Sequence, residues 1–169
     1  MITLGILNGP NLNRLGKRPS SHYGVQSLEV LERSWQALAK SLGFNLITFQ
    51  SNSEGALIDT LHAWDDKGIE GAVVNPAGYT HSNVALRDAI ESIVFPCVEV
   101  HLSHIFAREP FRQTSLIAPV CIGTISGLGS FGYEAAIHYL LGLEQKREEL
   151  VQNVREVVGV DNSNPHVHR

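Results

Sequence analysis

The chain has 169 residues, a formal net charge of −4 and a hydrophobic fraction of 43%. That length suits one globular domain with a sizeable core, which excludes disordered and fibrous proteins. The 13 lysines and arginines form no stripe that could neutralise a run of phosphates, so we expect no nucleic-acid partner. No apolar stretch reaches the ~20 residues of a membrane span, so we expect no membrane partner and a cytoplasmic location.

The cysteines and the C-terminal histidines indicate neither a disulfide nor a metal centre. Cys97 and Cys121 lie in apolar runs without a Cys-x-x-Cys motif, so we expect buried thiols in a reducing compartment. His166 and His168 have metal-ligand spacing, but they lie on a polar tail, and no zinc-type trio occurs elsewhere in the sequence. We therefore expect no metal site.

Five short apolar runs alternate with longer segments of helical period. The runs span residues 2–7, 46–49, 72–74, 97–100 and 120–125. Parallel strands joined by right-handed helical crossovers favour an α/β fold, a flavodoxin-like three-layer sandwich with a five-stranded parallel sheet in the order 2-1-3-4-5. A (βα)₈ barrel would need eight strands, more than this length supplies.

The helices between the runs carry start and stop residues. Ser27 can cap a helix that Gly43 stops, and Ser53 can cap a second helix that Gly68 stops. A third helix is expected from about Ser82.

The apolar helical pattern continues through Val154 and Val158 before the sequence becomes polar. We expect residues 1–150 to form a single catalytic domain. Residues 151–169 are expected to form a C-terminal helical extension and a flexible tail.

The residues that follow the strands are candidates for a ligand site, because open α/β sheets bind ligands beyond the carboxyl ends of their strands. Polar segments occur there at residues 8–14, 75–81 and 99–104. Any one of them is equally consistent with an ordinary turn, but three at one edge favour a site. Glu99 and His101 share a strand face, where a carboxylate can orient an imidazole as a general acid, although an isolated pair of this kind is more often structural.

Three arginines and two further residues extend this candidate site. Arg18, Arg108 and Arg112 offer guanidinium groups for a carboxylate substrate, although each alone is more often a solvated side chain. Tyr23 lies in a glycine-flanked segment typical of a lid, where it is either a packing residue or a base. His81 follows the third strand near a predicted helix N-terminus, where it is either an anion-binding residue or a surface histidine.

Two common chemistries are poorly supported. The glycine-rich segment 123–129 lacks the lysine of a phosphate-binding P-loop and holds only part of a dinucleotide fingerprint. Lys17, Lys40, Lys67 and Lys146 all lie near predicted helix ends or in the lid, so none is a desolvated strand lysine suited to a Schiff base.

The loops also spell a series of ordered motifs. They are Asn-Gly-Pro-Asn-Leu-Asn at 8–13, the spacing from Arg18 to Tyr23-Gly24, Gln-Ser-Asn-Ser-Glu-Gly at 50–55, Asn-Pro at 75–76, Tyr-Thr-His at 79–81, Val-Ala-Leu-Arg-Asp-Ala at 84–89, Glu-Val-His-Leu-Ser at 99–103 and Arg-Glu-Pro-Phe-Arg at 108–112. With these motifs the chain resembles the type II 3-dehydroquinate dehydratases from about residue 2 to residue 143.

The resemblance implies a hydro-lyase of the shikimate pathway that converts 3-dehydroquinate to 3-dehydroshikimate through an enolate, with no cofactor and no Schiff base. By resemblance, Tyr23 would remove a proton as tyrosinate, Arg18 would favour that ionised form, and Asn11 would hold a water at the enolate. His101 would protonate the leaving hydroxyl, held in place by Glu99. The same dehydration serves aromatic biosynthesis and quinate breakdown, and the sequence leaves both open.

The resemblance also implies substrate contacts and an assembly. The expected substrate-binding residues are Asn75, His81, Arg87, Asp88, Leu102, Ser103 and Arg112. The expected assembly is a homododecamer built as a tetramer of trimers. The chain departs from the family where Pro19 and Ser20 follow Arg18, since Arg-Glu-Pro is usual there, and at His104, where Asn is usual.

Two rival interpretations share this fold. A response-regulator-like binding module would need a phosphorylatable aspartate after the third strand, where this chain has Asn75 and Pro76. A catalytically impaired relative would lack Tyr23 or His101, and both are present.

Overall fold

A computed structural model of the chain describes residues 1–17 and 20–158. Five parallel strands form one sheet in the order β2-β1-β3-β4-β5, which confirms the predicted topology. The strands are β1 (Thr3–Asn8), β2 (Asn45–Gln50), β3 (Gly71–Asn75), β4 (Cys97–His101) and β5 (Gly123–Ser126). The helices are α1 (Ser20–Tyr23), α2 (Leu28–Leu42), α3 (Glu54–Lys67), α4 (Val84–Ser92) and α5 (Phe131–Val158).

The predicted caps of α2 and α3 are present. The hydroxyl oxygens of Ser27 and Ser53 accept hydrogen bonds from the first turns of their helices. Gly43 and Gly68 end the same helices in the left-handed conformation, with φ of 75° and 69°. These contacts satisfy backbone groups that a helix terminus otherwise leaves unpaired.

The third predicted helix begins later than expected. Residues Ala77–His81 form a 3₁₀ helix, and α4 starts at Val84. Asn83 caps α4, because its Oδ1 accepts from the backbone N–H of Leu86 at 2.8 Å.

The predicted start of the fifth strand at residue 120 is wrong. Residues Ala118–Val120 form a 3₁₀ helix, and β5 begins at Gly123. Pro119 has no N–H to donate to a strand ladder, and the Ser115 hydroxyl accepts from the N–H of Ala118 at 2.9 Å, which favours the turn. Cys121 therefore lies before the strand and is only half-buried, whereas Cys97 is buried as expected.

Helices cover both faces of the sheet, so the molecule has the three predicted layers. On one face, side chains of α2 and α5 pack on the sheet, with the Trp35 and Tyr133 rings stacked at 4.4 Å between centroids. On the other face, side chains of α3 and α4 form a second core that includes Leu57, Trp64 and Leu86. The site described below lies where the strands emerge from between these two cores.

Helix α5 continues without interruption past residue 150, the predicted end of the catalytic domain. Leu150, Val154 and Val157 are exposed on its C-terminal half. The predicted flexible tail and the histidines at 166 and 168 lie outside the described residues, so the boundary at 150 stays a prediction.

Across 1–17 and 20–158, no helix has the length and hydropathy that crossing a membrane requires.

Candidate active site

A cavity of about 140 Å³ lies at the carboxyl ends of β1, β3 and β4. Most of the predicted site residues line it, namely Asn11, Tyr23, Asn75, His81, His101, Leu102, Ser103 and Arg112. Arg108 also lines it, together with Pro10, Leu12, Ala77, Gly78 and Ile105. A larger open groove of about 820 Å³ follows the C-terminal half of α5, and it contains none of these residues. The sheet edge predicted from the strand order is therefore the place where the polar loops converge.

The loop after β1 is held by the loop after β2. Asn11 is left-handed, with φ of 67°, and its backbone N–H donates to Asn52 Oδ1 at 2.9 Å. Gln50 Nε2 donates to the same oxygen at 3.2 Å. This contact explains structurally why the segments 8–13 and 50–55 occur together as motifs, since the second segment positions the first.

Asn75 at the end of β3 and His81 in the turn after it line the cavity with defined hydrogen-bond roles. Asn75 is almost fully buried, and its Oδ1 accepts from the backbone N–H of Ala77 at 3.1 Å. His81 Nδ1 lies 2.8 Å from the carbonyl oxygen of Thr114. Because a carbonyl oxygen only accepts, Nδ1 of His81 carries a proton, and Nε2 is left for the cavity.

The predicted pair at the end of β4 is present and buried. Glu99 Oε1 and His101 Nε2 lie 2.5 Å apart, and the two side chains are 0% and 5% exposed. The Ser115 hydroxyl also lies 3.0 Å from each Glu99 oxygen. A buried carboxylate is costly unless hydrogen-bonded, and here an imidazole and a hydroxyl both contact it. Glu99 lies behind His101 and reaches the cavity only through that imidazole.

Arg108 makes a polar contact to Tyr23 that sequence reasoning did not assign. Its Nη1 donates to the Tyr23 hydroxyl at 2.9 Å and to Ser103 Oγ at 3.0 Å. The guanidinium carbon also lies 5.4 Å from the centre of the Tyr23 ring. In the sequence Arg108 was one of three candidate cations, and spacing could not separate it from Arg112. The 3₁₀ turns Ile105–Ala107 and Pro110–Arg112 flank Arg108, whose guanidinium contacts the phenol.

Two predicted substrate-binding residues are not among the described residues that line this cavity. Arg87 and Asp88 lie on α4, outside the set of described residues that line it, and Arg87 pairs with Asp88 at 2.8 Å and Glu91 at 2.9 Å. Arg18 lies outside the described residues. Within the described ranges there is also no group of three His, Cys, Asp or Glu side chains that could hold a metal ion.

Comparisons with known proteins identify the family to which the chain is similar. A family model described as dehydroquinase class II matches residues 2–141. The chain is 50% identical to a 3-dehydroquinate dehydratase of Gemmatimonas aurantiaca over 147 residues, which cover 86% of this chain and 95% of that relative. It is 52% identical to one from Bacillus cytotoxicus over 137 residues, covering 80% and 92% of the two chains.

A solved structure extends the likeness to the fold. The crystal structure of a type II dehydroquinase from Butyrivibrio crossotus superposes with a TM-score of 0.81 at 41% sequence identity. The superposition covers 82% of this chain and 97% of that one. The family match spans all five strands and the start of α5, and so includes every side chain placed at the cavity. This chain belongs to the class II dehydroquinase family.

Proposed function

We propose that the protein dehydrates 3-dehydroquinate to 3-dehydroshikimate through an enolate, without metal, cofactor or Schiff base. The observation that carries this proposal is that one small cavity is lined both by a tyrosine held by an arginine and by a histidine held by a buried glutamate. These two units supply a base and an acid, which a β-elimination of water from a hydroxyketone requires. The names of the relatives support the choice of substrate.

Proton removal is assigned to Tyr23. As phenolate it takes a proton from C2, and the C–H electron pair moves toward the C3 ketone, whose oxygen becomes an enolate. Arg108 donates to the phenol oxygen at 2.9 Å and so stabilises the phenolate by charge. Arg18 is proposed to assist from the lid, and Asn11 is proposed to hold a water against the enolate oxygen.

Loss of the hydroxyl is assigned to His101. The enolate re-forms the ketone, a C1=C2 double bond appears, and the C1–O bond breaks while His101 protonates the departing oxygen as water. Because Nε2 of His101 faces the acceptor Glu99, the transferable proton must reside on Nδ1. Tyr23 ends protonated and His101 neutral, and one proton passed from the first to the second through solvent restores the starting state.

The remaining cavity side chains are proposed to bind the substrate's carboxylate and hydroxyl groups. They are Asn75, His81, Ser103, Arg112 and the backbone at Leu102. Contacts from Arg87 and Asp88 to the substrate, the dodecameric assembly and a cytoplasmic location remain predictions.

The test is to mix the purified protein with 3-dehydroquinate in the presence of EDTA and follow the ultraviolet absorbance of the conjugated enone. We expect product from the wild type, and a loss of kcat of at least ~10²-fold in Tyr23→Phe, which cannot form a phenolate. Tyr139→Phe removes a phenol from the exposed face of α5 and is the matched control. Borohydride added with substrate should leave activity intact, because no imine forms. A wild type that produces no enone would refute the proposed reaction.

A further inference from the structure

We propose that Tyr133 is a positioning residue that orients the Asn75 side chain, so that Asn75 presents an N–H donor to a substrate oxygen. Tyr133 lies on α5 and is not among the described residues that line the cavity. The inference rests on the proposed function, which it deepens by assigning a hydrogen-bond role to one substrate-binding residue.

The Tyr133 hydroxyl bridges the ends of two neighbouring strands. Its ring is 1% exposed and stacks on Trp35 with an interplanar angle of 22°. The hydroxyl lies 2.8 Å from Asn8 Oδ1 and 2.7 Å from Asn75 Nδ2. Asn8 and Asn75 are register partners on β1 and β3, so a single phenol oxygen from α5 reaches both strand ends at once.

The directions of these hydrogen bonds follow from the donors available. A phenol carries one proton, and Tyr133 donates it to Asn8 Oδ1, so its oxygen can only accept from Asn75 Nδ2. Burial raises the pKa of the Tyr133 phenol, which keeps that proton in place. The hydroxyl therefore acts as a permanent acceptor for the Asn75 amide.

A second contact specifies the same amide orientation. Asn75 Oδ1 accepts from the backbone N–H of Ala77, a residue held in the left-handed region with φ of 51°. With Oδ1 occupied and one Nδ2 hydrogen given to Tyr133, the second Nδ2 hydrogen has no acceptor among the described residues. Asn75 lines the cavity, so this remaining hydrogen is available to a hydroxyl or carboxylate oxygen of the substrate.

Removing the Tyr133 hydroxyl tests this role. Tyr133→Phe keeps the ring and its stacking on Trp35 but takes away the acceptor for Asn75 Nδ2. We expect kcat/KM for 3-dehydroquinate to fall about tenfold, the size of one mispositioned hydrogen bond. In an Asn75→Ala background the same substitution should cause no further fall, because the residue through which Tyr133 acts is already gone.

The double-variant cycle separates positioning from general stability. If Tyr133 only stabilised the fold, Tyr133→Phe would lower the fraction of active protein by the same factor in the wild-type and the Asn75→Ala backgrounds. Tyr139→Phe, an exposed phenol on α5, and Ile137→Val, a buried apolar change on the same helix, should leave kcat/KM at the wild-type value. If Tyr133→Phe does not fold, Asn8→Ala replaces it in the same cycle. Loss of the Asn8 acceptor leaves the phenol proton without a fixed direction, so the phenol oxygen no longer presents a fixed acceptor to Asn75 Nδ2.

The outcomes distinguish this inference from the proposed function. A wild type without dehydratase activity refutes the function. An active wild type with Tyr133→Phe at full kcat/KM, or with an equal loss in the Asn75→Ala background, overturns the positioning role.

Discussion

The buried Glu99 carboxylate accepts a hydrogen bond from a single hydroxyl, that of Ser115. The Ser115 oxygen accepts from the backbone N–H groups of Ile117 at 3.1 Å and Ala118 at 2.9 Å. A hydroxyl has two acceptor positions and one proton, so with both acceptor positions filled its proton must go to Glu99. Ser115 therefore connects the turn before β5 to the acid–base pair on β4.

We expect Ser115→Ala to weaken both folding and turnover. The change leaves Glu99 without one donor, and an unmet hydrogen bond of a buried group costs about 1–3 kcal/mol of unfolding free energy. The kcat value should fall several-fold because Glu99 then holds His101 less firmly. Urea denaturation and steady-state kinetics measure the two effects. The control is Ser41→Ala, which removes an exposed hydroxyl that bonds only to the Leu38 carbonyl, and a Ser115→Ala protein equal to this control would contradict the assignment.

Cys121 gives a prediction about pH. Burial, followed by the nearby Glu99 charge, raises the pKa of Cys121 to about 12. The unfolded thiol loses its proton near its ordinary pKa of about 8.5, so the folded state holds the proton more tightly. The unfolding free energy that this thiol contributes is fully present below the pKa of the unfolded thiol. It is lost as the pH rises toward about 12, the pKa of the folded thiol.

Two measurements check the Cys121 prediction. Iodoacetamide at pH 8 should label Cys121 far more slowly in the native protein than in guanidinium, as read by mass spectrometry of the peptide. The loss of unfolding free energy between pH 9 and 11 should be smaller in Cys121→Ala than in the wild type. Rapid native labelling would show that the thiol is accessible and ionises normally.

Among the elements, the junction after β1 has the tightest backbone approach. A Cβ added at Gly9 would lie 2.5 Å from the carbonyl oxygen of Pro76, in the loop after β3. The backbone of Gly9 also donates to the Asn75 carbonyl at 2.8 Å. The two loops that line the cavity are therefore in direct contact, and only glycine fits between them.

We expect Gly9→Ala to destabilise the protein by about 1–3 kcal/mol, because the backbone of one of the two loops must shift. The same chemical change at Gly55, on the exposed side of α3, should be neutral or stabilising by up to ~1 kcal/mol, since alanine favours a helix. Thermal unfolding of both variants measures the contrast. Equal midpoints for the two would mean that the loops move apart without cost.

The match to the family model ends at residue 141, and the sequence continues to residue 169. We expect the full protein to assemble to about twelve times its chain mass of 18.5 kDa, as its resemblance implies. Light scattering during size-exclusion chromatography measures this mass. A chain that ends at residue 150 should keep the same number of subunits and the same activity, and a smaller number of subunits would assign the assembly to the C-terminal part of α5.

Much of the fold follows from local patterns in the chain. Ser27 with Gly43 and Ser53 with Gly68 mark helix ends because their contacts are made within one turn of the backbone. The sheet order follows from right-handed crossovers, which leave few ways to stack five parallel strands. The start of β5 was mispredicted because an apolar run looks the same in a strand and in a proline-containing turn.

The site also contains residues that the sequence could identify and residues whose roles it could not assign. Tyr23, Glu99 and His101 could be singled out from strand position and from ordered motifs. The roles of Arg108 and Tyr133 could not, because each depends on contacts between residues far apart in the chain. Arg108 meets Tyr23 across 85 positions, and Tyr133 meets Asn8 across 125. Local periodicity carries no information on such pairs, and the packing of α5 and the loop after β4 onto the sheet brings them together.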